Sequence, residues 1–160
     1  MAKKDLTNSA VNEQLNQLLA DLTQLQTNIQ QAHWYMRGPE FFRLHPLMDD
    51  YKAQLAEQLD TLAERLIALG GSPLATTHEF SERTNLPDEE ISWGEFELSE
   101  LMDRLLKQFK YLRNQYQIAI ELTDQVQDLP TQDILNGYQS ELDKIIWMIS
   151  AFLNQAPLKA

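Results

Sequence analysis

Apolar residues recur along this chain at steps of three and four, the period of an amphipathic helix. Val11, Leu15, Leu18, Leu19, Leu22, Leu25 and Ile29 form a first stripe running on toward Trp34, which predicts a helix from about Ser9 to Met36. Gly38-Pro39 stops it, because Gly accepts the left-handed conformation after a helix and Pro cannot continue the hydrogen-bond ladder. A second stripe, Leu44, Leu47, Met48, Tyr51, Leu55, Leu59, Leu62, Leu66 and Leu69, closes at Gly70-Gly71-Ser72-Pro73; Pro46 fits only near that helix's first turn. Leu98, Leu101, Met102, Leu105, Leu106, Phe109, Leu112, Tyr116, Ala119 and Ile120 make a third, and Ile134, Leu135, Tyr138, Leu142, Ile145, Ile146, Ile149 and Phe152 a fourth, with Asp128 to Thr131 between them. From Leu74 to Trp93 no period is sustained, and Pro87-Asp88 marks a long connection, with a short helix predicted near Thr77 to Phe80.

The connection lengths set the topology. Short links join the first helix to the second and the third to the fourth, whereas about twenty residues join the second to the third, so antiparallel hairpins are bridged by a crossover. The fold class expected is all-α, a ferritin-like four-helix bundle whose long crossover carries a short extra helix. At 160 residues, one domain over 1–160 is the natural size, with residues 1–8 expected as a flexible tail.

Composition narrows the chemistry. With no cysteine, disulfides, thiolate zinc sites and iron–sulfur clusters are excluded, and any metal must be held by nitrogen and oxygen. The start is polar, with no apolar leader core, and no apolar run approaches the length of a membrane span, so a cytoplasmic protein is expected. Thirteen basic against twenty-four acidic residues give a formal charge of −11, which repels phosphate backbones and attracts metal cations. Acidity by itself more often serves solubility.

The second helix carries the chemical signal. His45, Asp49, Asp60 and Glu64 fall as two i, i+4 pairs separated by eleven residues, close to three turns, so they share one side of the helix near its apolar seam. A carboxylate left in an apolar interface would cost several kcal/mol, whereas a divalent cation would hold it ionised. His33, at the end of the first helix, could add a nitrogen. His45 and Glu64 lie nineteen residues apart, ~28 Å along the axis, too far for one chain to close a site. Two such helices crossing antiparallel about a two-fold axis would bring His45 and Asp49 of one chain against Asp60 and Glu64 of the other. Imidazole with carboxylate suits iron(II), with manganese or zinc as competitors. Spacing alone leaves a solvated helix face open as the other reading. The Glu-x-x-His pair of intrasubunit di-iron bundles is absent, as are His-Glu-x-x-His, phosphate loops and nucleophile elbows.

Ala32-His33-Trp34-Tyr35-Met36-Arg37-Gly38-Pro39, Phe41-Phe42, Leu44-His45 and Asp60-Thr61-Leu62-Ala63-Glu64-Arg65-Leu66 together resemble the signature of the Dps family of mini-ferritins. Gly70-Gly71-Ser72-Pro73, Ile146-Trp147-Met148 and Ala156-Pro157-Leu158 extend the likeness over nearly the whole chain, which is most similar to the Dps-like peroxide-resistance type that does not bind DNA. The resemblance implies a homododecamer that oxidises iron at two-fold interfaces, with hydrogen peroxide as oxidant, and stores iron(III) mineral in its cavity. By position it implies His33, His45 and Asp49 as ligands from one subunit and Asp60 and Glu64 from the next. It also implies a radical trap at Trp34, against which interface packing is the competing role. Acidic pores at three-fold axes are implied too, their lining resembling Asp124 through Asp128 to Asp133. Asp124 and Asp133 are the candidates there, because Leu129 and Pro130 depart from the acidic pattern and Asp128 or Thr131 could instead cap a helix.

Asp50 and Glu57 could nucleate mineral or merely face solvent. A DNA-protecting role is the alternative function, for which this tail offers only Lys3 and Lys4. Arg104, Lys107, Lys110 and Arg113 read as a solvated stripe or intersubunit pairs, and His78 carries no assigned role.

Overall fold

The computed structural model describes residues 2–158, with side chains from Ser9 onward. Its elements are α1 (Ala2–Tyr35), α2 (Phe41–Ala68), the short α3 (Thr77–Arg83), α4 (Leu98–Val126) and α5 (Leu129–Phe152). There is no strand among the described residues, so the fold is the expected all-α four-helix bundle with a short extra helix. Each predicted stripe is buried or partly buried except at the last residue of the second and the fourth, where Leu69 and Phe152 are exposed: Leu15, Leu18, Leu22, Leu25 and Ile29 of α1 close on Leu55, Leu62 and Leu66 of α2, Leu105, Phe109 and Leu112 of α4 and Leu142, Ile146 and Ile149 of α5.

Side-chain register gives the helix directions. Gln14 bonds Gln115 and Asn28 bonds Gln108, so α1 and α4 run antiparallel. Gln58 bonds Glu141, and Arg65 bonds Thr131 further along, so α2 and α5 also run antiparallel. Tyr51 meets Phe109 edge-on, while Gln58 takes the Tyr116 hydroxyl; both contacts advance together, so α2 and α4 are parallel. A chain can enter two parallel helices in succession only by travelling back the length of the bundle, which is what the long crossover does.

The crossover lies along α1 and is tied to it by hydrogen bonds. Asn16 receives the Leu74 amide, Asn28 donates to the Pro87 carbonyl at 2.9 Å and Gln31 donates to that of Glu89 at 2.8 Å. Midway, the fully buried carboxylate of Asp21 accepts from the Thr84 hydroxyl at 2.7 Å, the Asn85 amide, Gln17 and the Tyr111 phenol. Four donors satisfy a group that would otherwise be costly to bury. Burial and the nearby Asp21 charge push the Tyr111 phenol up to about 12.

Several boundaries differ from the expectations. The backbone of α1 is helical from Ala2 rather than Ser9; the flexible tail expected over 1–8 concerns residues that, as side chains, lie outside the described set. Helix α2 starts at Phe41, one turn before its apolar stripe, so Pro46 sits inside it. A proline there only forgoes the bond to the carbonyl of Phe42, a residue 87% exposed, where water can satisfy it. Helix α3 extends to Arg83, its start fixed by a capping box between Thr76 and Glu79. Helix α5 begins at Leu129 with Pro130 in its first turn, which a missing N–H permits.

Candidate metal centre

The hinge between α1 and α2 brings together two residues twelve apart. His33 Nδ1 lies 2.9 Å from the carbonyl oxygen of His45, and His45 Nδ1 lies 3.0 Å from that of His33. A carbonyl can only accept, so each Nδ1 carries the proton, and in the neutral ring each Nε2 is left with its lone pair for a metal. The rings stack at 3.7 Å, and Phe41 also stacks on His45, at 4.6 Å. The early start of α2 supplies that Phe41. The pair is thus locked in position and tautomer before any metal arrives.

Asp49, one turn beyond His45, places Oδ1 3.8 Å from His33 Nδ1. Its other neighbour is Lys52, whose ammonium lies 3.9 Å away and also donates to Gln30 of α1. His33 is 9% exposed, but Asp49 is open to solvent. Asp60 and Glu64, both exposed on the same flank of α2, are more than two turns further down the helix. A single chain therefore pairs His33 with His45, sets the Asp49 carboxylate near the protonated Nδ1 of His33, and leaves Asp60 and Glu64 as a separate pair. Among the described residues no cluster of three or more His, Asp or Glu within one chain is poised to hold a metal. The donor set present, imidazole Nε2 and carboxylate oxygen, fits a divalent first-row ion.

The remaining candidates separate by environment. Trp34, beside His33, is 65% exposed. Asp50 and Glu57 are exposed on α2. Asp124 and Asp133 are exposed around the α4–α5 turn, whereas Asp128 is occupied: it caps α5 through the Thr131 amide and takes Arg65 Nη2 at 3.0 Å. The basic stripe of α4 is answered within the chain, Arg104 by Glu89, Lys107 by Asp103 at 2.7 Å and Arg113 by Asp143. The pairs expected between subunits or with solvent are thus internal for these three. His78 faces Glu82 one turn on, at 3.4 Å in solvent.

Sequence reasoning missed Lys52 and Gln30, and named Phe41 only within the family signature, without its place against His45. The first was visible as a cation three residues after Asp49; Gln30 gives no signal without the α1–α2 contact.

A model of the ferritin-like domain matches residues 12–158, so the class defined by fold and site is that of ferritin-like four-helix proteins. The DNA protection during starvation protein of Listeria monocytogenes is 41% identical over 156 residues, which is 98% of this chain and 99% of that protein. The X-ray structure of Dps from the same organism is similar with a TM-score of 0.90 at 42% identity, over 93% of this chain and 96% of that one. Dps from Listeria innocua, soaked with zinc, gives 0.88 at 42%, over 93% and 99%. The chain belongs to the Dps family. No helix among the described residues is long and apolar enough to cross a membrane.

Proposed function

We propose that this protein oxidises iron(II) with hydrogen peroxide at a site shared by two subunits and stores the iron(III) as mineral inside a homododecamer in the cytoplasm. The observation that carries the proposal is the reciprocal Nδ1-to-carbonyl pairing of His33 and His45, which leaves the Nε2 of both neutral rings with a free lone pair, with the Asp49 carboxylate 3.8 Å from His33 Nδ1. Asp60 and Glu64 of an adjacent subunit complete the set, since one chain cannot. That a Dps was studied with zinc supports metal binding of this kind and makes zinc, like manganese, a plausible competitor.

Iron is the substrate. The imidazoles hold iron(II) through nitrogen, and the carboxylates offset its charge. Two iron(II) ions each give one electron, the O–O bond of peroxide breaks, and two protons complete two waters, leaving two iron(III) ions to move to the cavity wall. Asp124 and Asp133 are proposed for the entry pore, Asp50 and Glu57 for mineral nucleation, and Trp34 as a sink for stray oxidising equivalents. Removing iron(II) and peroxide together suppresses hydroxyl-radical formation.

The test is anaerobic iron(II) loading followed by peroxide, with iron(III) absorbance recorded. The native protein should oxidise iron rapidly and carry it in a large oligomer, and a His33→Ala, Asp60→Ala double variant should fall to the uncatalysed rate. Equal rates would refute the site.

A DNA-protecting role is the second reading, raised by the name of the Listeria relative. Protection through iron and peroxide removal needs no contact with DNA. Direct binding is opposed by the charge of −11 and the internal pairing of Arg104, Lys107 and Arg113. Duplex DNA should show no mobility shift at physiological salt, and retardation there would restore direct binding.

A further inference from the structure

Lys52 is the cation nearest the proposed centre. It stands one turn after Asp49 on α2, reaches back to α1, and donates to the side-chain oxygen of Gln30, three residues before His33. Its ammonium is therefore anchored across the helix pair by a neutral amide. The distance to Asp49 Oδ1, 3.9 Å, exceeds the ~2.8 Å of a hydrogen-bonded ion pair, so the carboxylate is attended but left with its lone pairs free. The Lys52 side chain is 29% exposed, against 60% for Asp49, so much of its charge is held against protein. No other Lys or Arg lies within ion-pair range of His33, His45 or Asp49 among the described residues.

We propose that Lys52 is a positioning residue that deliberately weakens metal binding at this centre: a fixed positive charge, tethered by Gln30, that orients Asp49 and repels the bound cation. This rests on the reading of His33, His45 and Asp49 as metal ligands. A storage protein must pass its metal on, and a site that binds too tightly stalls. Repulsion grows with ionic charge, so the same ammonium disfavours iron(III) more than iron(II) and favours departure of the product. The tether matters because an untethered lysine would swing into solvent when a cation arrived, whereas the Gln30 bond keeps the charge at close range.

Zinc(II) binding, measured by titration calorimetry on the intact oligomer, tests this without reference to turnover. Native protein should bind zinc at a site lost in His33→Ala. Lys52→Met and Lys52→Gln should bind at that site at least about threefold tighter at equal ionic strength, and Lys52→Arg, which keeps the charge, should stay near the native value. Equal or weaker binding by both neutral variants overturns the role given to Lys52 and leaves the metal centre standing. Identical zinc binding by native protein and His33→Ala removes the centre itself, and this inference with it. Using two neutral variants guards against one that fails to fold, which far-UV circular dichroism would reveal.

Discussion

His33 and His45 illustrate how a residue's neighbours choose its chemistry. Each imidazole gives its Nδ1 proton to the other's backbone, so the hinge that turns the chain also sets the tautomer. Tyr51 shows the opposite condition. Its hydroxyl is buried beside Phe109 with no hydrogen-bond partner, and burial together with the nearby Asp50 charge lifts the phenol to about 12. The folded chain thus keeps a proton that the unfolded chain releases near pH 10. The associated stability is complete below about pH 10 and falls as pH rises toward 12. Tyr51→Phe should therefore be neutral or stabilising at pH 7, by up to ~1 kcal/mol, and should flatten the stability loss between pH 10 and 12. Denaturant titrations at pH 7 and 11 check both, and a loss above ~2 kcal/mol at pH 7 would mean that the hydroxyl has a partner.

At the scale of elements, helix ends follow rules legible in sequence, with one instructive departure. After α2, Gly70 takes φ +82°, with the Gly71 amide bonding Leu66 and the Gly70 amide bonding Ile67, a Schellman turn that Gly70-Gly71 announces. After α4, the same turn is made by Gln127 at φ 59°, bonding Asp124, while Asp128 bonds Thr123. No glycine signals it, which is why the boundary before α5 was predicted late. Gln127→Gly should raise stability by a few tenths to ~1 kcal/mol, and Gly70→Ala should lower it by about 1 kcal/mol. Thermal melts of the two variants, shifting in opposite directions, are the check; a destabilised Gln127→Gly would show that its side chain contributes more than its backbone costs. The four stripes and the crossover were readable because burial on one face imposes a period of 3.6. The starts of α1 and α2 were not, since their first turns lie outside the apolar pattern, and neither were the buried polar contacts. Asp21 and Gln58 sit where their polarity argues for solvent, and only packing of distant segments supplies their partners, Gln58 taking the hydroxyl of Tyr116, whose burial the third stripe did show. Tyr116, sealed in the core, has its phenol raised well above the ordinary value by burial.

For the molecule as a whole, the four-helix core is complete in one chain while the proposed chemistry is not. His33 at the end of α1 meets His45 and Asp49 near the start of α2, and Asp60 and Glu64 lie further along α2. The sequence shows this division through the ~28 Å implied by nineteen residues of helix, and the structure adds the locked imidazoles and the Lys52 tether. Subunit mixing tests the shared site most directly. His33→Ala and Asp60→Ala chains, each inactive when assembled alone, should recover about a quarter of native peroxide-driven iron oxidation when co-assembled at equal ratio, because about half of the interfaces are mixed and each mixed interface restores one of its two sites. Mixed oligomers as inactive as either parent would contradict a site built from two chains.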